Sequence, residues 1–242
     1  MNPEHSHNVP QLFYVFALIA MFYMAYNLRR LFTIQVGKSD NRPFNFFSQL
    51  YNTLSFGVGQ RKVYSKRFTY ASIMHFLIGW GFIELVFATT VDFFAARGWF
   101  VNYLPGFDTP WFAFINDTGG MMLIVGCFMA LIRRHYIKPE ILPQNNLSGR
   151  SAFLGDSGIL FFLVFLSIGG FITEAARLAV ETPDTAYWSW AGYMISKLTS
   201  QSNWIYLKPY IWWGHAITSL IFISLIPMTK MFHVIAVIAN VA

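Results

Sequence analysis

Histidine is the residue type in this sequence best suited to bind a metal or a heme, because its imidazole is a common metal ligand. Of the six histidines, His5 and His7 lie in a polar amino-terminal tail, where exposure to solvent explains them. The other four lie within or at the ends of long apolar runs: His75, His135, His215 and His233. An ionisable residue in such a run indicates a functional site, although it can also simply bond to a neighbouring helix.

The spacing of the last two histidines suits a cofactor-binding helix. His215 and His233 are 18 residues apart, which is five whole turns of an α-helix, so a single helix would present both rings on one face. They would lie about 27 Å apart along the axis. This arrangement predicts two hemes stacked across a bilayer, one near each side.

Depth along the apolar runs suggests how the rings pair. By the rise of a helix, His75 lies about 10 Å from the end of its run that is rich in basic residues, and His233 lies at the same edge. These two are therefore the predicted axial pair of an inner heme. His215 lies about 10 Å from the opposite side and has no obvious histidine partner. Met121 and Met122 are at that level, and His/Met ligation of heme is known, but packing is the simpler role for both.

A second pairing stays open. His75 would bind one heme with His215, and His135 would bind another with His233. It requires an axial offset of about 10–15 Å between His75 and His215, which a large helix tilt can partly absorb.

The elements that must position these residues are membrane helices. Hydrophobic residues make up 55% of the chain and charged residues 12%, and the mean hydropathy is +0.45. About 20 apolar residues cross the hydrocarbon core, and lipid requires each crossing segment to satisfy its own backbone hydrogen bonds. The sequence therefore predicts an all-α bundle of five transmembrane helices in a single domain, 1–242. The windows are about 11–32, 68–95, 110–132, 155–179 and 209–229, and an alternative end of the last window lies past His233.

Lys and Arg predict the orientation, because basic residues concentrate on the cytoplasmic side. Thirteen of the seventeen lie on one side: eight between 29 and 67, four between 133 and 150, and Lys230. Arg97, Arg177, Lys197 and Lys208 lie on the other. The amino terminus is then outside and the carboxyl terminus cytoplasmic, in a multi-pass protein of the cell (inner) membrane. The net charge of +6 follows this pattern and does not indicate nucleic acid.

Three segments resemble a known family. They are HFLIGWGF at 75–82, WGH at 213–215 followed by PMTKMFH at 227–233, and GFITEAAR at 170–177. Together they resemble the diheme cytochrome b of the nitrate reductase gamma subunit type. The likeness is closer to its relatives in heterodisulfide reductase-like and sulfite-reduction-associated membrane complexes.

The resemblance implies that His75, His215 and His233 bind heme b, with His215 and His233 on different hemes. Leu85 stands where the nitrate reductase type has a second histidine, so the second ligand of the outer heme is unassigned, and two hemes or one are expected. The implied function is electron transfer between a membrane quinone (or methanophenazine) and a cytoplasmic, heterodisulfide reductase-like iron–sulfur subunit. The chain would then belong to a quinone-linked oxidoreductase without acting alone on the final substrate. Cys127 alone cannot hold an iron–sulfur cluster, which takes about four cysteines.

A quinol site needs a group that accepts protons. Glu84 lies within the second window, about 12–15 Å from its outer edge, and is the candidate acceptor. Pairing with Arg177 is an equally simple role for Glu84, and a pair between Arg177 and Glu174 is the alternative.

Two other functions are weighed against heme binding. A non-heme anchor or assembly subunit would only tether a partner, and its histidines would be dispensable. A small transporter is disfavoured because the sequence has neither an inverted repeat nor helices broken by Gly and Pro at matching positions.

Overall fold

In a computed structural model, the chain is described at residues 11–34, 45–61, 63–64, 68–96, 105–138 and 156–241. His5, His7 and seven of the seventeen basic residues used to predict the orientation lie outside these residues. Five described helices are long and apolar enough to cross a membrane, and the described residues contain no strand. These observations confirm an all-helical protein with five spans. Which side is cytoplasmic stays a prediction from charge.

The spanning helices follow the apolar windows closely. They are α1 (Gln11–Ile34), α3 (Thr69–Ala96), α4 (Pro110–Ile132), α5 (Asp156–Glu181) and α7 (Gln201–Leu225). Pro110 begins α4, where a missing backbone N–H costs no helical hydrogen bond. Three shorter helices complete the fold: α2 (Phe46–Asn52), α6 (Trp190–Ser196) and α8 (Phe232–Val241). A π-helical turn, Thr53–Val58, continues α2.

The bundle is arranged so that α3 packs on α4, α4 on α5, and α5 on α7. The main apolar core lies between these four helices and α8, and consists of Leu123, Cys127, Ile159, Leu163, Val164, Phe222 and Met231. Helix α1 packs against α7 at the periphery of the bundle. The two run parallel, since Phe13 meets Trp212 and Tyr23 meets Met228 further along both helices. Parallel first and last spans are what five alternating crossings require.

Glycines allow α3 and α4 to approach closely. A Cβ added to Gly81 would lie 2.6 Å from the carbonyl oxygen of Gly119 and 2.7 Å from the backbone N of Leu123. Small residues at such contacts are typical of membrane helix pairs. Gly81 therefore serves helix packing, and the space beside its Cα is filled by protein.

Alanine at Gly81 is expected to lower the free energy of unfolding by about 1–3 kcal/mol, because the backbones of two helices must move apart. Unfolding in mixed detergent micelles measures this. Gly214→Ala is the matched control, since a Cβ there meets nothing within 4 Å. Equal stability of the two variants would contradict the close packing of α3 on α4.

Candidate functional site

His75 and His233 face each other at one end of the bundle. Their ring centroids are 6.2 Å apart and the ring planes make an angle of 62°. His75 lies in the second turn of α3, and His233 lies in the first turn of α8. The structure therefore brings together the rings of His75 and His233, which their depths along the apolar runs predict to be a pair.

The chain reaches this contact through two helices separated by a turn, whereas the spacing of the histidines predicts one continuous helix. Helix α7 ends at Leu225, a 3-10 turn follows at Ile226–Met228, and α8 begins at Phe232. Pro227 has no N–H to continue the helix, and Thr229 is extended, with φ −116° and ψ 174°. The prediction that five unbroken turns join His215 to His233 is therefore wrong, and the 27 Å separation does not apply. The break instead allows α8 to pack on the π-helical turn Thr53–Val58.

Gln60 forms a hydrogen bond with the ring of His75. Its Oε1 lies 3.1 Å from Nδ1 of His75, a distance at which the ring N–H donates to the amide oxygen. Gln60 has a positive φ of 52°. Its side chain lies against Gly79, where any Cβ would collide with the amide. The pattern of apolar runs could not reveal Gln60, because it lies in the connection before α3.

A cavity of about 490 Å³ adjoins this pair of residues. Its lining consists of Ser55, Gly59, Gln60, Arg61, Val63, Tyr64, Ser72 and Phe76. Arg61 brings a positive charge, and Ser72 and Phe76 flank His75 on α3. The volume falls within the range of about 300–1,000 Å³ typical of small-molecule sites.

His215 lies apart, against α5. A Cβ on Gly169 would lie 3.1 Å from its Nδ1, and one on Gly170 would lie 3.6 Å from its Cε1. Nδ1 is buried without a hydrogen-bond partner among the described residues. Leu85 packs against the apolar core, and Met122 lines a groove beside Glu84.

His135 is exposed at the end of α4. Its Nε2 lies 3.1 Å from Oγ of Ser157 at the start of α5. The ring that faces His233 is that of His75, so the geometry favours the first pairing over the one that joins His135 with His233.

Glu84 lines an apolar groove of about 200 Å³ between α3 and α4. The other residues of this groove are Phe76, Trp80, Phe114, Ile115, Thr118, Gly119 and Met122. Both carboxylate oxygens of Glu84 are buried without a hydrogen-bond partner among the described residues. Oε2 lies against the backbone of Gly119, which has no side chain to exclude it.

Asp117 is a buried carboxylate that the analysis of the sequence missed. Its side chain is fully buried. Oδ2 accepts hydrogen bonds from the backbone N–H groups of Ala191 (2.7 Å) and Gly192 (3.1 Å), at the start of α6. Oδ1 has no partner among the described residues. The signal was present in the sequence, since an aspartate inside an apolar window marks a functional hypothesis.

Arg177 belongs to an ion network near the carboxyl-terminal end of α5. It makes two hydrogen bonds to Glu174 at 2.9 and 3.0 Å, and it pairs with Asp108 at 2.8 Å and with Glu181 at 3.3 Å. The pair with Glu174 is thus observed. The alternative in which Arg177 pairs with Glu84 is not, because the Glu84 oxygens have no hydrogen-bond partner among the described residues.

Comparison with known proteins yields one distant likeness. Among curated proteins, the chain is similar to the EtfAB:quinone oxidoreductase of Syntrophomonas wolfei subsp. wolfei, with 23% identity over 252 aligned positions. The alignment covers 96% of this chain and 34% of that protein, so the chain spans about a third of its relative's length. No protein-family model matches the chain, and no solved structure matches it.

Proposed function

We propose that this chain is a heme b-bearing membrane subunit that carries electrons between a membrane quinone and an iron–sulfur partner. The quinone is supported by the similarity to a protein named as a quinone oxidoreductase and by the five spanning helices. The heme is supported by the facing rings of His75 and His233, and this pair is the observation that carries the proposal.

The two facing rings suit axial ligation of one iron. His75 and His233 would hold the heme between them, one imidazole from each of two helices. The ring centroids are 6.2 Å apart. The rings come from different helices, α3 and α8, so a cofactor between them would also fix α8 to the bundle.

The set of donors also favours heme over a metal held by protein alone. Protein-only zinc sites use three or four side-chain ligands, and the described residues contain no group of three His, Cys, Asp or Glu that could hold a metal. A heme needs only two axial ligands, because its macrocycle supplies the others. Two facing imidazoles satisfy this need.

His215 is the proposed ligand of a second heme. Its Nδ1 is buried and has no hydrogen-bond partner in the described part of the chain, and Gly169 and Gly170 leave the facing surface of α5 without side chains. The second ligand is unassigned, so the proposal is two hemes, with the one held by His75 and His233 better supported.

When bound, the hemes supply one-electron chemistry, while the protein sets their ligation, their dielectric surroundings and the access of protons. Gln60 fixes the tautomer of His75 by accepting its Nδ1 proton, so that Nε2 is left to bind iron. The cavity beside them offers Arg61 as a counter-charge for acidic substituents of the cofactor. Cys127 is the one cysteine in these 242 residues, so the iron–sulfur partner is proposed to lie outside them and to dock on the basic, cytoplasmic side.

Gln60→Leu is expected to raise the midpoint potential of the heme between His75 and His233. An accepted N–H makes the imidazole a stronger donor, which favours ferric iron, and the leucine removes that acceptor. A tenfold change in the relative affinity for ferric and ferrous iron corresponds to about 59 mV, so a shift on the order of tens of millivolts is expected. Potentiometric titration followed at the heme bands measures it. Gln201→Leu, at an exposed residue at the start of α7, is the control and should leave the midpoint potential unchanged.

Optical spectroscopy of the purified protein tests the proposed function. Reduced-minus-oxidised spectra should show b-type bands, and a quinol should reduce them. A fully folded, colourless protein would overturn the proposal in favour of a non-heme anchor.

A further inference from the structure

The groove between α3 and α4 and the two buried carboxylates beside it form a second candidate site. We propose that the groove binds a quinone headgroup and that Glu84 and Asp117 carry its protons to or from the outer surface. This inference rests on the proposed function for its electrons, and it assigns the substrate site and the proton path.

The groove has the composition that a quinone requires. Phe76, Trp80 and Phe114 supply aromatic surface, and each is between a third and a half exposed on the outside of the bundle, where lipid would lie. A volume of about 200 Å³ is below that of most sites for drug-sized ligands, so the groove would hold a headgroup and leave the isoprenoid tail in the bilayer. Glu84 is the ionisable residue of its lining.

Glu84 is free to exchange a proton. A buried polar group normally has a hydrogen-bond partner, and an orphan requires an explanation. Both oxygens of Glu84 are orphans among the described residues. A headgroup oxygen in the groove would provide the missing partner, accepting from the protonated carboxyl group or donating to the carboxylate.

Asp117 is the next group along the path. It lies on α4 two residues before Gly119, the residue against which Glu84 packs. The N–H groups of Ala191 and Gly192 hold one oxygen of Asp117. The other oxygen is buried and without a partner among the described residues, so it remains available for proton transfer.

The ion network of Arg177 continues the path to the surface. Glu174 packs against Gly192, where a Cβ would lie 2.8 Å from its Cγ, and Gly192 donates to Asp117. The guanidinium of Arg177 keeps its proton and donates to the carboxylates of both Glu174 and Asp108. The side chain of Asp108 is 55% exposed, so carboxylates, which can exchange protons, extend from the groove towards the outer face.

The chemistry balances in either direction. Reduction of a quinone takes two electrons, delivered through the proposed heme, and two protons. Each new O–H bond at a quinone oxygen breaks one O–H bond at Glu84, which then regains a proton from Asp117. Oxidation of a quinol reverses each step and releases both protons outward.

Two measurements on the whole protein in nanodiscs test this inference. Photolabelling with a decyl-tailed azidoquinone should modify residues of α3 and α4 that line the groove, and peptide mapping locates the label. Stopped-flow reduction of the heme by a decyl-tailed benzoquinol and by 2,3-dimethyl-1,4-naphthoquinol should be at least tenfold slower in Glu84→Gln and in Asp117→Asn. Asp117→Asn should keep the labelling pattern, because Asp117 does not line the groove. Asp184→Asn, at an exposed outer carboxylate, is the control and should react like the unmodified protein.

The outcomes separate this inference from the proposed function. Label at the cavity beside Gln60, or unchanged rates in both variants whose dithionite-reduced heme spectra are intact, would overturn the inference and leave the heme proposal standing. Unchanged rates in Asp117→Asn alone would overturn the relay. A colourless protein whose groove is labelled would overturn the heme proposal and retain the quinone site.

Discussion

Alanine in place of His233 is expected to remove one b-type heme from each polypeptide. The ring of His233 lies 6.2 Å from that of His75, and a heme that loses one of two axial imidazoles also loses the clamp between α3 and α8. His75→Ala should have the same effect, since both variants empty the same site. A pyridine hemochrome assay per polypeptide measures the loss, and a fall of one heme is expected for each variant.

His135→Ala is the matched control for this experiment. His135 is exposed beside Ser157, and its replacement should leave the heme content unchanged. If His135→Ala and His233→Ala each lost one heme while His75→Ala lost a different one, the second pairing would be correct. If the double variant of His75 and His233 lost two hemes, the two residues would not share a site.

The fold was largely predictable because lipid permits few alternatives. Apolar runs of about 20 residues must become helices, and the helices begin and end close to the predicted windows. The exception is the last span, which begins at Gln201, eight residues before the predicted start at Pro209. Gln201, Ser202, Asn203 and Lys208 hid this start, because polar residues lower the hydropathy of a window even where the helix continues.

The sequence predicted the candidate site only where the position of a residue along one helix determines where its side chain lies. The depth of His75 follows from counting residues along α3, and that is why its pairing with His233 could be predicted. The break at Ile226–Met228 depends on the local backbone conformation at Pro227 and Thr229. The 18-residue spacing between the two histidines does not reveal that conformation. The contacts of Asp117 are made by α6, and Gln60 lies in the connection before α3. Such contacts between distant segments have no periodic signal.

The ion network at Arg177 predicts a large loss of stability for Arg177→Met. Removing one partner of a buried ion pair costs about 3–5 kcal/mol, because the other charge stays buried and unpaired. Glu174 is the group left behind, with only 13% of its side chain exposed. Asp108 and Glu181 are more exposed and can be solvated. The free energy of unfolding in mixed detergent micelles is therefore expected to fall by about 3–5 kcal/mol.

Two further variants identify the cause of that loss. Lys208→Met removes a cation that is 34% exposed and bonded to Glu181, so a loss of at most about 1 kcal/mol is expected. Arg177→Lys keeps the charge but not the planar fork that meets both oxygens of Glu174, so partial recovery is expected. Equal losses for Arg177→Met and Lys208→Met would mean that Glu174 is not buried as an ion.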